Sequence, residues 1–168
     1  VTRRTMKAVV LKGRGLENIA IEEVPRPDPG PRQILARVDA AGVCTSILKL
    51  AYQGKEHSFM GGWDTSRWPI VLGDEGSLTV VEVGQELNGR YAPGMRLGLQ
   101  PAVVGTPVNH LERYRKQGRG VAKTAVGYTL GGCLAEYLLV QEEVIEGQSL
   151  LRLPDKTLPY FAVSMCEP

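Results

Sequence analysis

Hydrophobic and polar positions alternate with a period of two through much of this chain, in short runs broken by Gly and Pro. The runs are Lys7 to Lys12, Ile19 to Val24, Ile34 to Val43, Ser77 to Val83, Arg96 to Gln100, Cys133 to Val140 and Leu150 to Leu153. Turn signals stand between them at Asn88-Gly89, Pro93-Gly94 and Gly131-Gly132. The stretch PRPDPGPR after the second run forbids helix and ladder pairing and predicts a rigid surface crossing rather than a domain linker. Many short strands at this spacing predict a mainly β, antiparallel, barrel-like core. Helix is scarce. The best candidate is Cys44 to Tyr52, which follows a glycine and sets Ile47, Leu48 and Ala51 at helical spacing. A second, Val108 to Gln117, is polar and basic enough to be an exposed excursion.

Composition narrows the class. With 168 residues, 43% hydrophobic and 23% charged, the chain has the balance of an ordinary globular domain with a real core. A net charge of +2, with scattered basic residues, is too weak for a nucleic-acid surface. No apolar run approaches the roughly 18 residues that cross a bilayer, and the start VTRRTMKAVV lacks the apolar stretch of a signal peptide. The three cysteines, Cys44, Cys133 and Cys166, form no CxxC pair and leave one thiol over in any disulfide scheme, so a cytoplasmic location is expected. Met6, ahead of a strand-like run, stands where translation could begin, with VTRR a remnant of something upstream. No repeat or second domain is visible. Nor is a G-x-G-x-x-G loop, whose backbone N–H groups would hold a dinucleotide pyrophosphate.

Three segments in order carry chemistry: AGVCTS at 41–46, PIVLGDEGSLTVVEVG at 69–84 and GGCLAEYLLV at 131–140. Each is weak alone, but the order is specific. Together they resemble the N-terminal catalytic domain of the medium-chain zinc-type alcohol and polyol dehydrogenases, and the resemblance runs from Met6 to Pro168. It implies a GroES-like (chaperonin-10-like) β-barrel with a few short helices spanning residues 1–168, and a nucleotide-binding Rossmann domain absent from this chain. It also implies an alcohol, polyol or sugar as substrate, oxidised to a carbonyl by hydride transfer to NAD(P), which only the absent domain would bind. The chain by itself is expected to be inactive. A homo-oligomer is compatible with the resemblance; a nucleic-acid or membrane partner is not expected.

In this family the resemblance makes Cys44 the thiolate ligand, position 74 a second ligand and Glu75 a direct or exchanging one, with Ser46 the hydroxyl that relays the substrate proton. In the polyol branch a Glu-Pro step supplies a further ligand, and Glu167-Pro168 matches it. The expected metal set is therefore Cys44, Asp74, Glu75 and Glu167, with Cys44, Ser46 and Glu75 at the chemistry. Position 74 departs from the pattern, because the family's usual histidine is here an aspartate. Carboxylate binds zinc at about the distance imidazole does. A set this anionic predicts weaker zinc binding or a drift to other divalent ions, and a less Lewis-acidic centre. With Glu167 at the chain end, the zinc is expected to be weakly held or missing in this chain.

Two further departures concern loops. The four cysteines that hold a structural zinc in many relatives have no counterpart between Pro101 and Gly127, where only His110 could ligate, so no structural zinc is expected. The stretch GKEHSFMGGWDTSRW at 54–68 lengthens the spacing from Cys44 to Asp74. Its His57, Trp63, Trp68, Lys55 and Arg67 can form a platform for a sugar, a phosphorylated sugar or a flat acceptor, or an ordered surface loop. Plain structural readings stand beside the sharp ones. Cys44 and Cys133 can be small buried hydrophobes, Asp74-Glu75 a polar turn, and Glu167 a frayed terminus. Cys166 and His57 are distant substitutes for lost ligands, and Glu136 and Tyr137 belong to structure. The zinc-free quinone and enoyl reductases, and a non-catalytic binding module, are the alternative functions.

Overall fold

The computed structural model describes residues 4–104, 123–153 and 156–164. The elements are β1 (Thr5–Leu11), β2 (Ile19–Pro25), β3 (Ile34–Ala41), α1 (Thr45–Gln53), β4 (Ile70–Val71), β5 (Gly76–Val83), β6 (Arg96–Leu99), β7 (Ala102–Val104), β8 (Lys123–Ala125), β9 (Tyr137–Val140), α2 (Glu142–Glu146), β10 (Leu150–Arg152) and α3 (Tyr160–Ser164). The alternating runs become strands within a residue or two of their expected limits, except the run from Cys133. The expected helix at Val108 to Gln117 lies outside the described residues.

Pairing is antiparallel throughout, in a five-stranded sheet β10-β6-β5-β3-β9, a three-stranded sheet β2-β1-β4 and the pair β7-β8. The mainly β, antiparallel expectation holds, but among the described residues the sheets stay open. The outer strands β9 and β10 of the large sheet do not pair with each other. The reason lies in residues 133–136, which divide their backbone groups between both sheets. Val9 N–H donates to Leu134 O (2.8 Å), Glu136 N–H to Lys7 O (3.1 Å) and Val38 N–H to Glu136 O (3.0 Å), and Ala8 bridges Ala135. That handover delays β9 to Tyr137.

Two apolar cores result. Ile34, Ala36, Leu78, Val80, Leu97, Leu138 and Val140 from the large sheet pack with Val144 and Ile145 of α2. Leu11, Ile70 and Leu72 pack with Ile47, Leu50 and Ala51 of α1 and with Met60, Trp63 and Tyr128. In α1 the inward positions are Ile47, Leu50 and Ala51, whereas Leu48, expected to face in, is 46% exposed. A helical rise of 100° per residue carries 48 off the face shared by 47, 50 and 51. Gly54, at φ 56°, ends the helix with its N–H on Leu50 O. Among the described residues no helix is long and apolar enough to cross a membrane.

The insertion at 54–68 is ordered and feeds the second core. Met60 is fully buried, and Trp63 is 4% exposed, with its indole N–H on Trp68 O at 2.8 Å. Trp63 is thus core rather than cleft wall. Trp63→Ala should cost about 3–5 kcal/mol in equilibrium denaturant unfolding, as deletion of a buried aromatic does. A loss under ~1 kcal/mol, the scale of a surface change, would contradict this placement.

Candidate metal centre

The centre forms where β3 ends against the start of β5. The last paired residues are Ala41 and Gly76, and Gly42 N–H donates to Glu75 O (3.2 Å). The chain leaving β3 therefore runs alongside the chain entering β5, which brings Cys44 to Asp74 and Glu75. A Cβ at Gly42 would lie 1.8 Å from Glu75 Oε2, so a side chain there would displace the Glu75 carboxylate from its present position. Cys44 also caps α1, its Sγ accepting the N–H of Ser46 at 3.5 Å.

Donor atoms of Cys44, Asp74 and Glu75 lie within 4.8 Å of one another. A zinc ion shared by all three would draw these donors in to bonds of about 2.0–2.3 Å, the range for zinc with sulfur and oxygen. Asp74 is 5% exposed, and its two oxygens differ. Oδ2 accepts from Ser46 Oγ (2.8 Å) and from the Tyr128 hydroxyl (3.4 Å). Oδ1 is buried with no hydrogen-bond partner. A buried carboxylate oxygen without a partner is costly. A cation at this point would remove that cost, so the residues present fit a divalent metal.

Tyr128 reaches the site because the turn after β8 rests on the backbone of Gly73. Gly127 has φ 81°, and a Cβ on it would lie 2.6 Å from Gly73 O, so only glycine permits this contact. Burial pushes the Tyr128 phenol up to about 12, with Asp74's charge acting in the same direction and the Ser46 hydrogen bond opposing it. At neutral pH the phenol is therefore a proton donor. Its ring centroid lies 5.0 Å from His57 and 5.2 Å from Phe59. Cys133, 1% exposed beneath Gly76, is a core thiol whose pKa is raised by burial and by Asp74. The Glu136 carboxylate accepts the Lys7 N–H at 2.8 Å, and Arg26 stacks over the Tyr137 ring at 4.9 Å.

Of the expected site residues, Cys44, Ser46, Asp74 and Glu75 come together. Glu167 and Cys166 lie outside the described residues, as do His110 and most of the lobe where no structural zinc is expected. His57 is outside the converging group, and its Nδ1 accepts the Phe59 N–H (3.2 Å). Tyr128 was absent from the sequence reading. The only signal for it was a Gly-Tyr step shortly before the GGC segment.

Residues 30–154 match the profile described as "Alcohol dehydrogenase GroES-like domain". The chain belongs to that family. Among proteins similar to this GroES-like domain is D-arabinose 1-dehydrogenase (NADP(+)) of Saccharolobus solfataricus, 32% identical over 138 residues, which are 80% of this chain and 36% of that protein. Sorbitol dehydrogenase of Homo sapiens is 31% identical over 112 residues, 67% of this chain and 28% of the relative. The solved structure of 2R,3R-butanediol dehydrogenase from Bacillus subtilis superposes with a TM-score of 0.70 at 25% identity, covering 95% of this chain and 43% of that one. The chain spans roughly a third or less of the length of these two curated relatives. The polyol and sugar dehydrogenase kinship expected from the motifs is thus borne out.

Burial lowers the His57 pKa, and the nearby Lys49 charge lowers it further. The unfolded chain, at about 6.5, then binds the proton more tightly than the folded one. His57 accordingly contributes stability that is present above that value and lost as pH falls through the folded pKa. Proton NMR titration of the imidazoles should place His57 below 6.5, with Lys49→Ala moving it upward. An unmoved resonance in the variant would remove Lys49 as a cause.

Proposed function

We propose that this domain is the substrate- and metal-binding part of an NAD(P)-dependent, zinc-type alcohol, polyol or sugar dehydrogenase, its cofactor bound by a separate nucleotide-binding domain. The observation that carries the reading is the meeting of Cys44, Asp74 and Glu75, together with the buried, partnerless Oδ1 of Asp74. Three protein ligands with a position left for substrate is the pattern of catalytic rather than structural zinc. Glu167 stands as a further ligand in this proposal, with Glu75 exchanging, so that one position stays open for substrate.

When bound, zinc supplies a Lewis acid that lowers the pKa of an alcohol hydroxyl. The chain's own residues do the rest. Cys44, Asp74 and Glu75 hold the ion, and Ser46 stands beside them with its hydroxyl hydrogen committed to Asp74. The lone pairs of Ser46 Oγ can accept a hydrogen bond from the alcohol hydroxyl, and as that proton moves to Oγ the serine's own proton passes to Asp74 Oδ2. A nicotinamide held by the separate domain would take the hydride from the carbinol carbon, which would require both reactants at near-contact distance. The presence of Cys44, Ser46 and Glu167 favours this over the zinc-free reductases, whereas Asp74 in place of histidine is what favours a non-catalytic module.

The cobalt-loaded chain decides between these readings. Sorbitol, arabinose or butanediol should shift its visible spectrum by placing a hydroxyl at the open position, while calorimetry with NAD+ and NADP+ should show no binding. Silence toward every alcohol would favour the non-catalytic module, and micromolar cofactor binding would contradict the division of labour. Asp74→His should tighten zinc about tenfold, ~1.4 kcal/mol, in chelator competition. A variant binding no better than its parent would overturn the ranking of the two ligands.

A further inference from the structure

We infer that Tyr128 is a positioning residue for the metal ligand Asp74: with Ser46 it ties down Oδ2, so that Oδ1 is the oxygen presented to the ion. The inference rests on the metal-binding reading above and adds to it a residue outside the three motif segments.

The argument begins with the donors. A carboxylate only accepts, and each hydroxyl has one proton to give. Both hydroxyl protons, from Ser46 Oγ at 2.8 Å and the Tyr128 phenol at 3.4 Å, go to the same oxygen. With Asp74 95% removed from solvent, the carboxylate cannot rotate into water to satisfy Oδ1. Two donors on Oδ2 hold its plane and leave Oδ1 as the oxygen with its lone pairs uncommitted, available to an ion that Cys44 and Glu75 would share.

The phenol is itself held. Gly127 seats its turn on Gly73, the residue before Asp74, so the turn that carries Tyr128 packs directly against the backbone that carries the ligand. The ring is 5% exposed, with Phe59 edge-on at 5.2 Å and the tilted His57 imidazole at 5.0 Å. The Phe59 N–H donates to His57 Nδ1 at 3.2 Å, which fixes the imidazole against the ring. The insertion at 54–68 thereby buttresses a residue of the metal centre from behind, through His57 and Phe59. Hydrogen-bond partners of ligating carboxylates orient them, and losing one typically costs about 10–100-fold in metal affinity.

The test is a Co2+ titration of the 168-residue chain and its Tyr128→Phe variant, in competition with a chromogenic chelator and followed by visible spectroscopy. The parent should bind Co2+ with a sulfur-to-metal charge-transfer band. Tyr128→Phe should bind about tenfold more weakly, with an altered ligand-field spectrum, while the apo variant keeps the parent's circular dichroism and His57 imidazole resonance. A purely structural role would move the latter two and leave the ligand-field pattern of the bound fraction unchanged. If the parent binds Co2+ and the variant binds within twofold with the same spectrum, this inference fails and the metal reading survives. If the parent binds no Co2+, the metal reading itself fails. Should Tyr128→Phe not fold, Ser46→Ala removes the other donor on Oδ2 and should weaken Co2+ in the same way; unchanged affinity there overturns the shared-oxygen arrangement.

Discussion

The antiparallel pairing of β3 with β5 ends at Ala41 and Gly76, and everything chemical in this domain depends on where that ladder stops. One strand exits and the other enters at the same edge, so residues 44 and 74–75 become neighbours although some thirty positions separate them. The ladder carries two irregularities, between Leu35 and Ala36 and between Val38 and Ala40. Each β-bulge shifts register by a residue and bends the strand. The two shifts are opposite, one on each strand, so the register at Ala41–Gly76 is again that of Ile34–Val83 and the ladder ends in step. Gly42 then lets the Glu75 carboxylate lie directly over the backbone that leads to Cys44.

Asp74 is the point of highest electrostatic cost. One of its oxygens is doubly hydrogen-bonded and the other is buried and empty-handed. Structures retain such a group where something outside the chain completes it, and a divalent cation between Cys44, Asp74 and Glu75 is the completion this geometry fits. Seen this way the aspartate is more than a lost histidine. Its surroundings, two hydroxyls on one oxygen and a glycine-seated turn beneath, hold the carboxylate in place.

Much of this was legible in the sequence, for identifiable reasons. The strands β1, β2, β3, β5, β6 and β10 follow runs long enough to show a period of two, or are bounded by Gly and Pro. β4, β7 and β8, at two or three residues, are too short to show any period, and α2 and α3, at five residues each, do not complete two turns. The expected strand start at Cys133 failed because residues 133–136 serve two sheets at once, which no local pattern encodes. At the site, Cys44, Ser46, Asp74 and Glu75 were found because motif order survives the replacement at 74. Tyr128 was not, because its proximity arises from Gly127 resting on Gly73, a contact between distant backbones that leaves no periodic trace. Trp63 was ambiguous for a different reason: a large aromatic beside basic residues reads alike in a core and in a pocket, and only burial separates the two.

Crystals of the chain soaked in zinc and measured at the zinc absorption edge test the central claim most directly. The account predicts one strong anomalous peak within bonding distance of Cys44 Sγ, Glu75 and Asp74, approached through Oδ1, with Oδ2 still hydrogen-bonded to Ser46 and Tyr128. A peak reached through Oδ2 with those two hydroxyls released, or zinc bound only at surface sites while Oδ1 stays without a partner, would contradict it.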